Sequence, residues 1–243
     1  MITENKLSKY LPYAIGEIVL VVIGILIALS INNWSTNKQL RSTEQVYLMS
    51  LQTEFETNLK KIKECIKENT ERIQAVEKIL ALFDANVRET ISDKAVSDII
   101  YSIFGGEATY IPSNGVLTDI ISSGNLNLIQ NEQLRQHLAS FESTLDFLAL
   151  QANSTNAIKD ELQSQFNKNG SVRKVLQHRG LTFEYESISD TLTNKKMFNL
   201  IEFENELLDY YLTIKAANGP RFFGGIKEQI ELILIEVDSE IKK

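Results

Sequence analysis

Hydrophobic positions follow two different rules along this chain. From Tyr13 to Ile31 the sequence YAIGEIVLVVIGILIALSI is apolar on every helical face, with Glu17 as its single ionisable side chain. Nineteen residues at 1.5 Å each make a helix of about 28 Å, close to the ~30 Å hydrocarbon core of a bilayer. An apolar surface on all sides suits lipid, where a helix meets every backbone hydrogen bond internally. Pro12 is suited to the first helical position, and Trp34 is an interfacial anchor type. A core helix of a larger protein and a cleaved signal peptide compete with a retained anchor. Lys6 and Lys9 precede the run, and Ala28-Leu29-Ser30 has small residues at peptidase spacing. The run exceeds the usual ~7–15 residues of a signal peptide, so a retained span is expected.

After a polar break at Asn32, Asn33 and Ser35, the rule changes to a stripe. Leu48, Leu51, Phe55, Leu59, Ile62, Ile66, Ile73, Val76, Leu80 and Phe83 recur mostly every three or four residues, with Asn69 in the missing slot. That spacing predicts an amphipathic helix of about 45 residues with coiled-coil character, and a polar residue in such a stripe sets register. Glu54, Glu56, Lys60, Lys61 and Lys63 are assigned to its other faces. Residues 84–91 read as a connection and Lys94 to Phe104 as a short helix ended by Gly105-Gly106. A second short helix follows Ser113, and Asn125 to Ile129 reads as a tight turn. Further long stripes cover about Asn131 to Asn167 and 196–241, the last broken or kinked at Asn218-Gly219-Pro220. The stretch Asn153-Ser154-Thr155-Asn156 predicts weaker packing in the second half of the middle arm.

The expected fold is all-α: a transmembrane helix, then an antiparallel bundle of three long helices with short helical inserts at its membrane-distal end. Its divisions are a cytoplasmic tail (1–12), the span (13–31), a juxtamembrane linker (32–39) and an extracytoplasmic bundle (40–243). The pattern allows the span to run on into the first arm as one helix. Basic residues Lys6 and Lys9 ahead of the span give a small charge bias for an N-terminus inside, so the C-terminal domain is expected in the periplasm, anchored in a bacterial inner membrane.

Composition narrows the function. Lys plus Arg number 25 against 32 Asp plus Glu, and a net charge of -7 argues against non-specific nucleic-acid binding. One Cys and two His build neither a disulfide framework nor a His/Cys zinc cluster, and no metal or cofactor is expected. Phosphate loops, HExxH and a nucleophile elbow are missing from the sequence, and no catalytic residue is assigned. Polar and turn-forming residues Tyr110, Ser113, Asn114, Ser123, Gly124, Asn125 and Asn127 are either caps and turns or a recognition surface at the bundle tip. Gly24 and Ala28 form a small-xxx-small pair and, with Glu17, are candidates for packing between membrane helices in a homo-oligomer.

Two runs, KYLPYAIGEIVLVVIGILIALSINNW (Lys9 to Trp34) and SSGNLNLIQNEQLR (Ser122 to Arg135), resemble the signatures of a domain-of-unknown-function family common in Bacteroidota. The resemblance implies a single-anchor membrane protein with a helical extracytoplasmic domain and transfers no activity. The expected partners are the lipid bilayer, a second copy through the membrane helix and an unidentified envelope protein. A non-enzymatic binding or scaffolding domain is the leading expectation, followed by an accessory ligand sensor and then by an envelope enzyme.

Overall fold

The computed structural model describes residues 7–106 and 108–241, with side chains from Tyr13 onward. Residues 1–6 of the expected tail, including Lys6, lie outside the described residues, as do Glu107 and the last two lysines. The fold is all-α, with no strand among the described residues.

Helix α1 runs unbroken from Leu7 to Leu80, 74 residues or about 110 Å. It begins five residues before Pro12, which therefore sits inside the helix rather than at its first position. The carbonyl deprived of a partner there belongs to the first turn, where water can satisfy it. Residues 32–39, expected to link span and bundle, do so as helix. No Gly or Pro falls between Ile25 and Phe104 to interrupt it.

A short 3-10 turn, Ala81–Phe83, closes this arm. Residues 84–91 hold a helix rather than a bare connection: the Asp84 side chain accepts from the Asn86 amide and starts α2, Ala85–Thr90. Ser92 caps α3, Asp93–Phe104, in the same way through the Ala95 amide. Residues 108–114, outside any helix, lead to α4, Gly115–Ser122, and Gly124 turns the chain at φ +74, a left-handed conformation in which a side chain would be strained. After the 3-10 turn Asn125–Leu128, Asn131 caps α5, Glu132–Asn169. Helix α6, Val172–His178, and two 3-10 turns lead to α7, Ile201–Ala217, and α8, Phe223–Ile241.

Helix direction departs from a simple up-down bundle. The Gln130 amide donates to Glu44 at 2.6 Å, Phe55 meets Phe141 at 5.1 Å, and Leu162 and Phe166 cluster with Val76 and Ile79. Helices α1 and α5 are therefore parallel. The α7–α8 arm is antiparallel to both: Tyr211 donates to Glu77 near the far end of α1, and Gln52 donates to Asp238 near the membrane side. Helices α3 and α6 pack at the distal end as expected, but the segment from Ala108 to Gln130 descends along α1 and returns the chain to the level of Glu44.

The α7–α8 break falls at Asn218-Gly219-Pro220, as Pro and Gly predict. The turn folds tightly against α8: a Cβ on Gly225 would lie 2.0 Å from the Pro220 carbonyl oxygen. Asn69, buried in the stripe, donates to the Ile214 carbonyl (2.7 Å) and to the Asn218 side chain (2.9 Å). Its amide thus supplies a partner to a carbonyl in the last turn of α7 and ties the break to α1.

Burial follows the stripes but forms two hydrophobic clusters. The membrane-side cluster joins Leu48, Leu51, Phe55, Leu138, Phe141, Ile230 and Ile233. The distal cluster joins Val76, Ile79, Ile100, Phe166, Phe203 and Tyr210. Between them α5 buries Lys159 and no apolar side chain from Ala149 to Ile158, the weakness that its Asn153–Asn156 stretch predicts.

Candidate functional site

Two features stand out from ordinary bundle packing. The first is the grip of α1 on the returning segment. Glu54, assigned from sequence to an outer face, is buried against it instead. Its two carboxylate oxygens accept from the Val116 (2.7 Å) and Leu117 (3.0 Å) amides, capping α4 where Asn114 makes no side-chain cap bond. A carboxylate at that end also meets the positive pole of the helix. One turn further, the Asn58 amide pairs with both backbone groups of Ser113, donating to its carbonyl and accepting from its N–H, each at 2.7 Å. Lys61 reaches the Ser113 hydroxyl at 2.9 Å, Asn125 donates to the Tyr47 hydroxyl at 2.8 Å, and Glu44 holds Gln130 while also pairing with Arg41.

These contacts distribute the seven candidate recognition residues. Ser113 and Asn125 are used to fasten the segment, and Tyr110 is buried beside Cys65. Asn114, Ser123, Gly124 and Asn127 are exposed. Asn114 is separated from the other three by α4, about 12 Å of helix, so they do not converge on one patch. They also lie along the flank of α1, not at a bundle tip. Glu44 with Tyr47, and Glu54 with Asn58 and Lys61, are spaced by three and four beside the apolar stripe, but that spacing names no partner for them.

The second feature is a set of concavities around residues 105–106 and 108–111. Two are broad and open, one lined by Glu68, Arg72 and Tyr101, the other by Lys61, Cys65 and Ile111. The third is a deeper pocket of about 80 Å³ at the seam between the two hydrophobic clusters, beside the α7–α8 break. Leu148, Tyr210 and Phe223 give it apolar walls; Asn69, Arg72 and Lys159 bring polar groups from α1 and α5. Arg72 Nη2 and Lys159 Nζ both donate to the Gly106 carbonyl, at 2.7 and 3.2 Å. The Arg72 Nε is buried without an acceptor, as is the Tyr110 hydroxyl.

Nearby, burial pushes the Cys65 thiol up to about 12, with Glu68 adding to the shift and Arg72 opposing it. Burial likewise raises the Tyr110 phenol, helped by Cys65. Both groups are neutral in this setting, a core role rather than that of an activated nucleophile. His137 contacts Glu236 at 3.0 Å and His178 contacts Ser97 at 2.8 Å, at separate places on the bundle. Among the described residues no three His, Cys, Asp or Glu side chains are grouped to hold a metal ion.

Glu17, Gly24 and Ala28 are exposed along with the whole apolar run, and a Cβ on Gly24 would meet nothing within 4 Å. This stretch of α1 is long and apolar enough to cross a membrane, and none of its most apolar window is buried within the fold.

The fold and its sites define an all-α domain carried on an N-terminal apolar helix. The chain belongs to DUF6090, a family of unknown function, whose profile matches residues 17–203. No curated protein and no solved structure matches it. The family match ends within α7, although α8 packs along α1 and completes the membrane-side cluster.

Proposed function

We propose that this protein is a membrane-anchored, non-enzymatic binding or scaffolding domain at the bacterial cell envelope. The continuity of α1 carries this reading: one helix supplies both the exposed apolar run and a wall of the core, so span and bundle are rigidly coupled. Such a rod fixes the height and orientation of whatever the bundle presents. The inner membrane is the proposed location, with the bundle in the periplasm and an envelope protein as partner. The membrane helix offers Gly24 and Ala28 for close packing with a second copy, with Glu17 near its start.

Alkaline phosphatase fused after Lys243 tests the orientation, and high activity is expected. A stably expressed, inactive fusion would overturn the periplasmic placement. Crosslinking of membranes tests the homo-oligomer, which Gly24→Leu combined with Ala28→Leu should weaken; an unchanged pattern removes that surface. A second reading, an accessory ligand sensor, is favoured by the pocket at the α7–α8 break, where a bound molecule would bear on two hydrophobic clusters at once.

A further inference from the structure

We propose that the outward face of α1 from Ser35 to Thr57 pairs with a second copy of this chain, the two helices lying parallel and in register outside the membrane. The proposal rests on the homo-oligomer reading of the span and names where the copies touch beyond it.

This face is what the bundle leaves uncovered. On one side of it, Glu54, Asn58 and Lys61 hold the returning segment; on the other, Gln45, Gln52 and Lys63 meet α8. Between them Ser42, Val46, Met49, Thr53 and Thr57 stay exposed, Val46 at 57% and Met49 at 51%. The same face continues down the unbroken helix through Gln39, Ser35 and Ile31 to Ala28 and Gly24 in the span. Its period is eleven residues: Gly24, Ser35, Val46 and Thr57 recur at that spacing, as do Ile31, Ser42 and Thr53. An 11-residue repeat winds a helix pair slightly right-handed, the hand of small-xxx-small crossings in membranes. One packing geometry therefore serves both stretches.

Charge selects the occupant. Two copies threaded through one membrane by the same segment run the same way, so a twofold pair sets each residue of this face against its own counterpart. Any charge there would meet its like, which is destabilising. From Ile18 to Thr57 the face carries none, although Lys38, Arg41, Glu44, Glu54 and Glu56 lie on the flanks and other sides of the helix. Past Thr57 the same positions become Lys60, Glu64, Lys67 and Glu71, and the pairing surface ends.

The polar side chains of the face are already satisfied. Ser50, Thr53 and Thr57 donate their hydroxyls to carbonyls one turn back, at 2.9, 3.2 and 2.9 Å, so a partner covers them without orphaning a donor. Extent fits as well. With about four contacting positions in every seven, the stretch from Gly24 to Thr57 offers roughly twenty residues per copy, enough for a standard interface, and the span alone about half of that.

The experiment is disulfide crosslinking of the full chain in native membranes, with one new cysteine at a time; the native Cys65 is buried. Oxidation by copper phenanthroline should give dimers of Ser42→Cys, Val46→Cys and Thr53→Cys at least about tenfold above Asn33→Cys and Asn37→Cys, which are exposed on the opposite side of α1. In the Ser42→Cys chain, Val46→Glu should cut the dimer yield about tenfold, and co-expression with a Ser42→Cys chain carrying Val46→Lys should restore it, because opposite charges then face each other. Equal yields on both sides of the helix overturn the proposal. So does a Val46→Glu yield equal to wild type; should that variant misfold by circular dichroism, the cysteine pattern alone decides. Dimers of Ala28→Cys with none at the three outer positions overturn the proposal and spare the membrane packing. Dimers at the outer positions with none at Ala28→Cys support it and sink the Gly24–Ala28 surface alone.

Discussion

Removing the Glu54 carboxylate should release the returning segment from α1. In Glu54→Ala the amides of Val116 and Leu117 lose their acceptors, at 2.7 and 3.0 Å, while Leu117 stays buried at 1% exposure. A hydrogen bond to a charged group contributes about 1.5–3 kcal/mol, and an acidic cap at a helix N-terminus adds about 0.3–1 kcal/mol. Water can enter the space left by the side chain and recover part of this, so a loss of about 3 kcal/mol is expected. That is a large share of a typical 5–15 kcal/mol margin. Glu54→Gln keeps one acceptor but turns the other oxygen into an amide donor facing an N–H, so it should fall between the wild type and Ala. Urea unfolding of the chain in detergent measures the global loss, and hydrogen exchange at Val116 and Leu117 measures the local one. The reasoning fails if Glu54→Ala exchanges these amides at wild-type rates with stability changed by less than about 0.5 kcal/mol. It also fails if Glu56→Ala, at an exposed position on the same helix, has an equal effect.

Gly225→Ala should destabilise the bundle by about 3 kcal/mol, because the new Cβ would meet the Pro220 carbonyl oxygen at 2.0 Å and backbone must move; a thermal melt within a degree of wild type would contradict the tight turn. Cys65, buried with its thiol raised to about 12, should resist iodoacetamide at pH 8 until urea unfolds the chain, and rapid alkylation of the native protein would place it outside the core. The Asp98 carboxyl is held below its usual 3.8, first by its hydrogen bond from Lys94 and then by the charges of Lys94 and Arg179. A lowered folded pKa contributes stability that is present above about pH 4 and lost as the pH falls through the folded value. Asp98→Asn should therefore lower stability above about pH 4, leave it nearly unchanged at the acid end, and so flatten the fall between the two. An identical acid limb would show that the pair contributes nothing.

Apolar periodicity determined the helical arms because each stripe has one way to leave water. The uniformly apolar run 13–31 marked its own segment, and Asn218-Gly219-Pro220 marked the break, since a proline cannot continue the preceding turn. The caps made by Ser92 and Asn131 are local, for their side chains act on amides only three residues away. The polar middle of α5 likewise announced the weakly packed layer that holds the pocket.

What periodicity lacks is direction and partner. A stripe looks the same whether its neighbour runs parallel or antiparallel, so only the tertiary structure made α1 and α5 parallel and laid the α4 segment along the flank. Glu54 and Asn58 resemble solvent-facing helix residues until the segment they hold, more than 50 residues later, comes to rest on them. The candidate recognition residues divide for the same reason: Ser113 and Asn125 bind α1 while Asn114, Ser123 and Asn127 stay exposed, a distinction composition cannot make. The pocket, too, arises from side chains on separate arms, brought together by packing that no local pattern encodes.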